Sequence, residues 1–257
     1  MFSSRSRRPQ RSRFLKNIFS LVFVLGVVTL VIGIITPRII VPREVNIRGI
    51  ENLKKEELES SVKEFLKTPF FFSSKKLIAS LKTSFPRIAE VDVRRNFFQK
   101  TLHLEVQERK PWALWCPETE PNKIETTCFY IDNSGIVFQK APVFFGDLIL
   151  KIFDERDMMV KMGKPFLETE YVINLQNFIV RLNDTYKTRT IEIKITLDLA
   201  FWLTTTEGWR IVLDSETDID RALENLDIFL TSVIKDQIEN LDYLDLRFKN
   251  KGFYKLR

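Results

Sequence analysis

Leu81-Lys-Thr-Ser-Phe-Pro-Arg-Ile-Ala-Glu-Val-Asp-Val-Arg-Arg95 is followed, past a short turn, by Lys100-Thr-Leu-His-Leu-Glu-Val-Gln-Glu-Arg-Lys-Pro-Trp-Ala-Leu-Trp115. In the first segment Ala89, Val91 and Val93 alternate with Glu90, Asp92 and Arg94. In the second, Leu102, Leu104 and Val106 alternate with His103, Glu105 and Gln107. A period of two predicts strands of a sheet with one face buried and one wet. Asn96 to Lys100 is the hairpin turn between them. Upstream, Glu44 to Ile47 reads as a strand with Val45 and Ile47 on one face, and Gly49 makes a turn. Asn52 is placed to cap a helix from about Leu53 to Lys67, with Leu58, Val62, Phe65 and Leu66 at helical spacing. A second helix begins at Ser73 or Ser74, turns Leu77, Ile78 and Leu81 inward, and is stopped by Pro86. Strand, helix, helix, strand, strand is a small α+β unit with two helices on one sheet face.

Before this unit the character changes. Asn17 to Pro37 carries no charge, and Ile18 to Ile35 is almost wholly apolar. As a helix these 21 residues extend roughly 30 Å, the thickness of a bilayer's hydrocarbon core. The expectation is one uncleaved transmembrane helix. A signal peptide is the weaker reading, because the run is long and Thr36-Pro37-Arg38 is a poor cleavage site. A buried core helix would need a polar face that is missing. Arg5, Arg7, Arg8, Arg11, Arg13 and Lys16 precede the span with no acid among residues 1–16. Such a flank stays cytoplasmic, so the bulk of the chain is expected outside. These six cations account for the whole net charge of +6, and the rest holds 34 basic and 34 acidic residues. A nucleic-acid domain spreads its cations over a folded face; this charge sits in a tail, which argues against nucleic acid.

After the first unit, strands dominate. Pro111 to Trp115 and Phe129 to Ile131 flank a polar loop, and Asp132-Asn-Ser-Gly135 turns the chain into Ile136 to Phe138. Leu148 to Phe153 reads as a short strand inside an irregular stretch, residues 139–167. A helix covers about Glu168 to Leu182. Ile191, Ile193, Ile195 and Leu197 alternate, and Phe201 to Thr205 pairs with Trp209 to Leu213 across Glu207-Gly208. Thr217 is read as the cap of a long helix, with Asp220 at the capping-box position and a stripe from Ala222 to Ile234. Strands Leu241 to Phe248 and Phe253 to Leu256 close the chain around Gly252. The expected fold class is α+β: a transmembrane helix, the small β-α-α-β-β unit, then a β-rich domain with a mixed or antiparallel sheet and two helices.

The search for chemistry finds little. The one histidine, His103, lies mid-strand without metal-ligand neighbours. There is no phosphate-binding glycine loop, nucleophile elbow, HExxH or CxxC. Asp242 and Asp245 are acids near a strand end, read as solvated. The expectation is no enzyme, no cofactor, no metal and no small-molecule substrate. Cys116 and Cys128 are the only cysteines. They bracket the polar loop at the ends of two strands expected to pair. They form either a disulfide or two buried reduced thiols, and an oxidising exterior favours the bridge.

Several stretches together resemble the bacterial cell-division family FtsQ/DivIB: the proline before a strand ending in Arg94-Arg95; Glu108-Arg-Lys-Pro-Trp-Ala113; the hairpin Phe129-Tyr-Ile-Asp-Asn-Ser-Gly-Ile-Val-Phe138; and Tyr243-Leu-Asp-Leu-Arg-Phe248 followed by Gly252. The resemblance implies a cytoplasmic tail at 1–16, a span at 17–37, a POTRA domain at 38–109 and the family's β domain at 110–257. It implies a non-enzymatic scaffold in the cell membrane, enriched at the division septum. Its implied partners are FtsB- and FtsL-like proteins, through which it influences septal peptidoglycan synthesis. The rival readings are an exported, tethered enzyme and a POTRA-type chaperone for outer-membrane proteins.

The last strand is where partner binding is expected. Phe253 to Leu256 is a candidate sheet edge, open to strand addition, and the resemblance puts FtsB beside it. Alternation groups Leu244, Leu246 and Phe248 on the core face, and Tyr243, Asp245 and Arg247 on the other. Arg247 is available for a partner carboxylate unless Asp245, on the same face, neutralises it. The pattern sends Phe248 to the core, whereas the family's aromatic lies near the partner. The candidate binding residues are Arg247, Phe248, Phe253 and Tyr254. On the first unit, the mixed charges of Glu90, Asp92 and Arg94 are a second candidate docking face.

Overall fold

A computed structural model describes residues 19–31, 44–66, 73–96, 98–117, 127–143, 146–156, 158–249 and 251–257. The basic tail 1–16, both ends of the expected span, the linker 38–43 and the loop between the cysteines lie outside these residues. The described chain forms two compact units. One contains Val91–Val106 and described residues up to Leu81; the other contains Lys82–Glu90 and Gln107–Arg257.

Helix α1 covers residues 19–31. Apolar side chains cover its surface, with Phe19 and Phe23 more than two-thirds exposed. The Thr29 hydroxyl bonds back to the carbonyls of Leu25 (3.0 Å) and Gly26 (2.9 Å), so its polarity is spent within the helix. The described helix falls short of the expected 17–37: at 1.5 Å per residue it extends only about 20 Å. Among the described residues no helix is long and apolar enough to cross a membrane.

Next come β1 (Glu44–Arg48), α2 (Lys55–Leu66), α3 (Ser74–Ser84), β2 (Ile88–Asn96) and β3 (Thr101–Glu108). The sheet order is β1-β3-β2, with β1 and β3 parallel. A parallel pair needs a long crossover, and α2 and α3 supply it. Helix α2 starts two residues later than expected, and Leu58 and Val62 are its fully buried residues. Leu77 and Leu81 do the same for α3. Leu102, Leu104 and Val106 are buried, while Glu90, Asp92 and Arg94 are exposed.

The remaining strands are β4 (Ala113–Pro117), β5 (Phe129–Ile131), β6 (Val137–Lys140), β7 (Leu150–Asp154), β8 (Thr190–Ile195), β9 (Ala200–Thr205), β10 (Arg210–Asp214), β11 (Leu241–Asp245) and β12 (Phe253–Leu256). They make one mixed sheet in the order β12-β11-β10-β9-β8-β7-β4-β5-β6. The parallel pairs β7–β8 and β10–β11 are joined by α4 (Thr169–Tyr186) and α5 (Ile219–Ile228). Both helices bury their apolar stripes in one core: Val172, Leu175, Phe178 and Leu182 from α4, and Ala222, Leu223 and Leu226 from α5, with Ile193, Leu203, Ile211 and Leu244 of the sheet. The far face holds a smaller cluster of Leu114, Cys116 and Ala141. Cys116 and Cys128 are joined, S–S 2.02 Å, which closes the polar loop at its base.

The turn after β5 is held by Asp132, whose carboxylate accepts the N–H groups of Ser134 and Ile136 at 2.9 Å. Gly135 sits there at φ +76°, a left-handed conformation, and a side chain would press on Val172. The fully buried Asp154 accepts the Trp115 indole N–H (3.0 Å) and the Arg156 guanidinium (2.7 and 2.8 Å). That pairing lets β7 end inside the core without a bare charge.

Four expectations need correction. Leu197 is not a core residue but 77% exposed. The Thr196 hydroxyl donates to Asp198 (2.5 Å) and accepts the Ala200 N–H (3.2 Å), turning the chain before the alternation can continue. The cap of α5 is Asp218, not Thr217: Asp218 accepts the Arg221 N–H, while Thr217 bonds back to Asp214. The long helix ends at Ile228, continues as a π-helix over Phe229–Ile234 and then as a 3-10 turn over Lys235–Asn240. Strand β11 stops at Asp245 rather than Phe248.

Candidate partner-binding edge

β12 lies at one end of the nine-stranded sheet. It pairs antiparallel with β11, placing Asp245 opposite Phe253, Leu244 opposite Tyr254 and Tyr243 opposite Lys255. Among the described residues no strand pairs with its outer side. The opposite edge is treated differently. Val137 of β6 exchanges backbone hydrogen bonds with Gly163 and Lys164, and Phe166 N–H reaches the Gly135 carbonyl, so a passing segment covers the start of that edge. The outer side of β12 is the edge open to strand addition along its whole length.

The structure brings three of the four candidate residues together. Phe248 and Phe253 meet edge to face at 5.4 Å, and the Arg247 guanidinium lies 5.8 Å from the Phe248 ring centre. Tyr254 projects to the helix side instead, where it meets Phe229 of the π-helix at 6.0 Å. Phe248, Phe253 and Tyr254 are 46%, 54% and 44% exposed, so three aromatic rings stand partly in water at one sheet end. The chain turns after Leu246, which is buried, and this takes Phe248 out of the core that alternation assigns it.

Arg247 is held by its own segment. Its Nε donates to both oxygens of Asp245 (3.0 and 3.2 Å), its Nη2 to Oδ2 (2.7 Å) and its backbone N–H to Oδ1 (3.2 Å). That bond is the main reason the guanidinium proton is held more tightly than usual. Asp245 is almost buried, so Arg247 compensates a charge of its own chain first. Its presented surface is a planar cation beside an aromatic ring, not a bare charge.

The sequence reading missed the residues that brace the edge. Asp242 accepts from Arg210 (2.5 Å) and lies 3.6 Å from the Lys255 ammonium, tying β10, β11 and β12. Its carboxyl is held below the usual range, first by the Arg210 hydrogen bond. Arg210 stacks 5.1 Å from the Trp202 ring, which meets Tyr243 at 5.6 Å. Arg257 donates from its backbone to Asn240 (2.7 Å) and from its guanidinium to Gly208 (2.6 Å). The alternation of β10 and β11 offered a signal for the Arg210–Asp242 bond only if their parallel pairing was known.

His103 sits half-buried on β3. Among the described residues no group of three or more His, Cys, Asp or Glu is placed to hold a metal ion. The geometry supports recognition through backbone and aromatic surface.

Residues 42–109 match the POTRA domain of FtsQ type. The chain carries an FtsQ-type POTRA domain. The match supports an FtsQ/DivIB-family protein, and this domain type suggests a scaffolding role in cell division. No curated protein matches the chain.

Proposed function

We propose that this chain is a membrane-anchored, non-enzymatic scaffold of the division machinery. It binds an FtsB-like partner by strand addition to β12, and through FtsB- and FtsL-like proteins it acts on septal peptidoglycan synthesis. The observation that carries this reading is the open, aromatic-flanked edge of β12 in a chain with an FtsQ-type POTRA domain. Strand addition draws its affinity from main-chain hydrogen bonds and its specificity from side-chain pockets. Phe248 and Phe253 supply apolar surface on one side of the added strand, and Tyr254 supplies it on the other. The apolar run from Asn17 to Pro37, behind its basic flank, is the anchor in this reading. It puts both folded units outside the cytoplasm.

The test has two parts. Deleting Phe253 to Arg257 abolishes binding of an FtsB-like partner in pull-down while the circular dichroism of the folded units persists. Tyr254→Pro weakens binding more than Tyr254→Ala, because proline removes a backbone donor. A fluorescent fusion gathers at mid-cell, and protease added to spheroplasts digests the bulk of the chain. Full binding after the deletion, or a uniform cell outline, overturns the reading.

A further inference from the structure

The outer surface of α4 and α5 carries a groove unconnected with β12. Two adjoining depressions of about 510 and 570 Å³ lie between these helices, with Arg181 lining both. Arg181 crosses from α4 to pair with Asp220 of α5. The apolar part of the groove comes from Val180 on α4 and from Ile219, Leu223 and Ile228 on α5. Val180 and Ile228 are 55% and 54% exposed, unusual for branched apolar residues facing water along one groove.

The charge around this surface is mostly acidic. Asp218, Asp220, Glu224 and Asp227 line it, against the single guanidinium of Arg181. Asp218 is engaged by Arg221 and Asp220 by Arg181. Glu224 has no cation among the described residues within ion-pairing reach, and the Asp227 carboxylate accepts only the Tyr186 phenol, at 3.0 Å. Burial, and then the hydrogen bond to that carboxylate, push the Tyr186 phenol up to about 12. Asp220, Glu224 and Asp227 fall at i, i+4 and i+7, one stripe along α5 spanning roughly 10 Å.

We propose that this groove is a second docking surface, and that it takes a basic amphipathic α-helix of a protein partner. The walls are helices, whose backbone donors and acceptors are already paired within themselves, so recognition must run through side chains. A helix lays an apolar stripe between α4 and α5 and holds cations at matching i, i+4 and i+7 positions over Asp220, Glu224 and Asp227. An extended segment would direct every second side chain away from the groove and find no main-chain partner in it. Charge complementarity selects a basic helix over an acidic or neutral one.

The test uses the full-length protein in zwitterionic lipid nanodiscs, with protein-free nanodiscs as the baseline. The probe is a fluorescent stapled helix of leucine and lysine, with lysines at i, i+4 and i+7 beside a leucine face. Saturable binding by anisotropy is expected. It weakens at least tenfold in Glu224→Lys/Asp227→Lys and in Val180→Glu, both at exposed positions. Ile228→Glu repeats the apolar arm should Val180→Glu lower the melting temperature. A glutamate version of the helix and a shuffled lysine–leucine peptide without an apolar face both bind at least tenfold more weakly. Deleting Phe253 to Arg257 leaves the affinity unchanged, which keeps this site separate from the β12 edge. Equal binding of the shuffled peptide, indifference to the charge reversal, or no binding overturns the proposal. So does displacement of the probe by a peptide of residues 1–16, because the groove would then belong to the chain's own basic segment.

Discussion

Replacing Gly252 by alanine is a sharp test of how the β12 edge is supported. A Cβ at this position would overlap the Phe229 ring, with Cζ only 2.7 Å away. Gly252 does not occupy a left-handed conformation, so the effect of alanine is steric. Phe229 is half-buried in the π-helix between α5 and the 3-10 turn, and its ring also meets Tyr254 edge to face. It cannot yield without disturbing Tyr254 or the core. Forcing an extra carbon into such a site costs about 1–3 kcal/mol. The whole domain tolerates that, but β12 is four residues long, with Phe253, Tyr254 and Lys255 all exposed. Its own docking free energy belongs to the low end of the local-stability range. Since about 1.4 kcal/mol is tenfold in a population, the strained strand spends roughly five- to 150-fold more time detached. The expected result is a fall in melting temperature of a few degrees. Faster amide exchange confined to Leu241–Asp245 and Phe253–Leu256, with weaker partner binding, should accompany it. Phe229→Leu in the same chain relieves the overlap, so the two substitutions are non-additive. Unchanged exchange in β12, or strictly additive losses, refutes the reasoning.

Three further outcomes follow from the packing. Asp154→Asn leaves Arg156 without its counter-charge and costs about 3–5 kcal/mol, read by urea denaturation; a loss below 1 kcal/mol would mean that water replaces the pairing. Thiol labelling of the unreduced, unfolded protein from its native envelope finds no free cysteine, and Cys116→Ser costs about 3 kcal/mol through the lost cross-link; two labelled sites reject the bridge in the cell. Because the folded pKa of Tyr186 is raised, its contribution is intact below pH 10 and lost as pH climbs from 10 toward 12. Tyr186→Phe should therefore lose less melting temperature than the parent between pH 9 and 11, and equal losses would discount the half-buried phenol.

Much of the architecture was legible in the sequence because two periodicities carry it. Leu102, Leu104 and Val106 announced a half-buried strand, and Leu58 with Val62 a helix; all five are buried. What failed was decided by hydrogen bonds between neighbours that periodicity does not see. Leu197 continued the alternation of Ile191 to Ile195, yet the Thr196–Asp198–Ala200 turn intervened. Thr217 was a competent cap, but the Asp214 carboxylate claimed its hydroxyl. At the candidate edge Arg247, Phe248 and Phe253 gather on one side, whereas Tyr254 faces the other because successive strand residues alternate, and Asp245 holds Arg247 to its own segment. The parallel pairing of β10 with β11, which brings Arg210 to Asp242, depends on a crossover through α5 that a reading of local pattern does not supply. The groove between α4 and α5 escaped for a related reason: it needs Arg181 of α4 beside Asp220 of α5, a packing that local pattern does not supply.

The unequal treatment of the two sheet ends fixes a valence. Hydrogen-bonded sheets propagate when each added strand exposes a fresh edge at a site that others can reach. Here the segment around Gly163 to Phe166 occupies the start of β6, so within the nine-stranded sheet β12 is the edge open along its whole length. A sheet with one end obstructed is poorly suited to chaining copies of itself into a filament. Two copies meeting at that end would be related by a two-fold axis, and antiparallel pairing about the middle of β12 would set Tyr254 of each opposite Lys255 of the other. One open edge of four residues takes one added strand at a time.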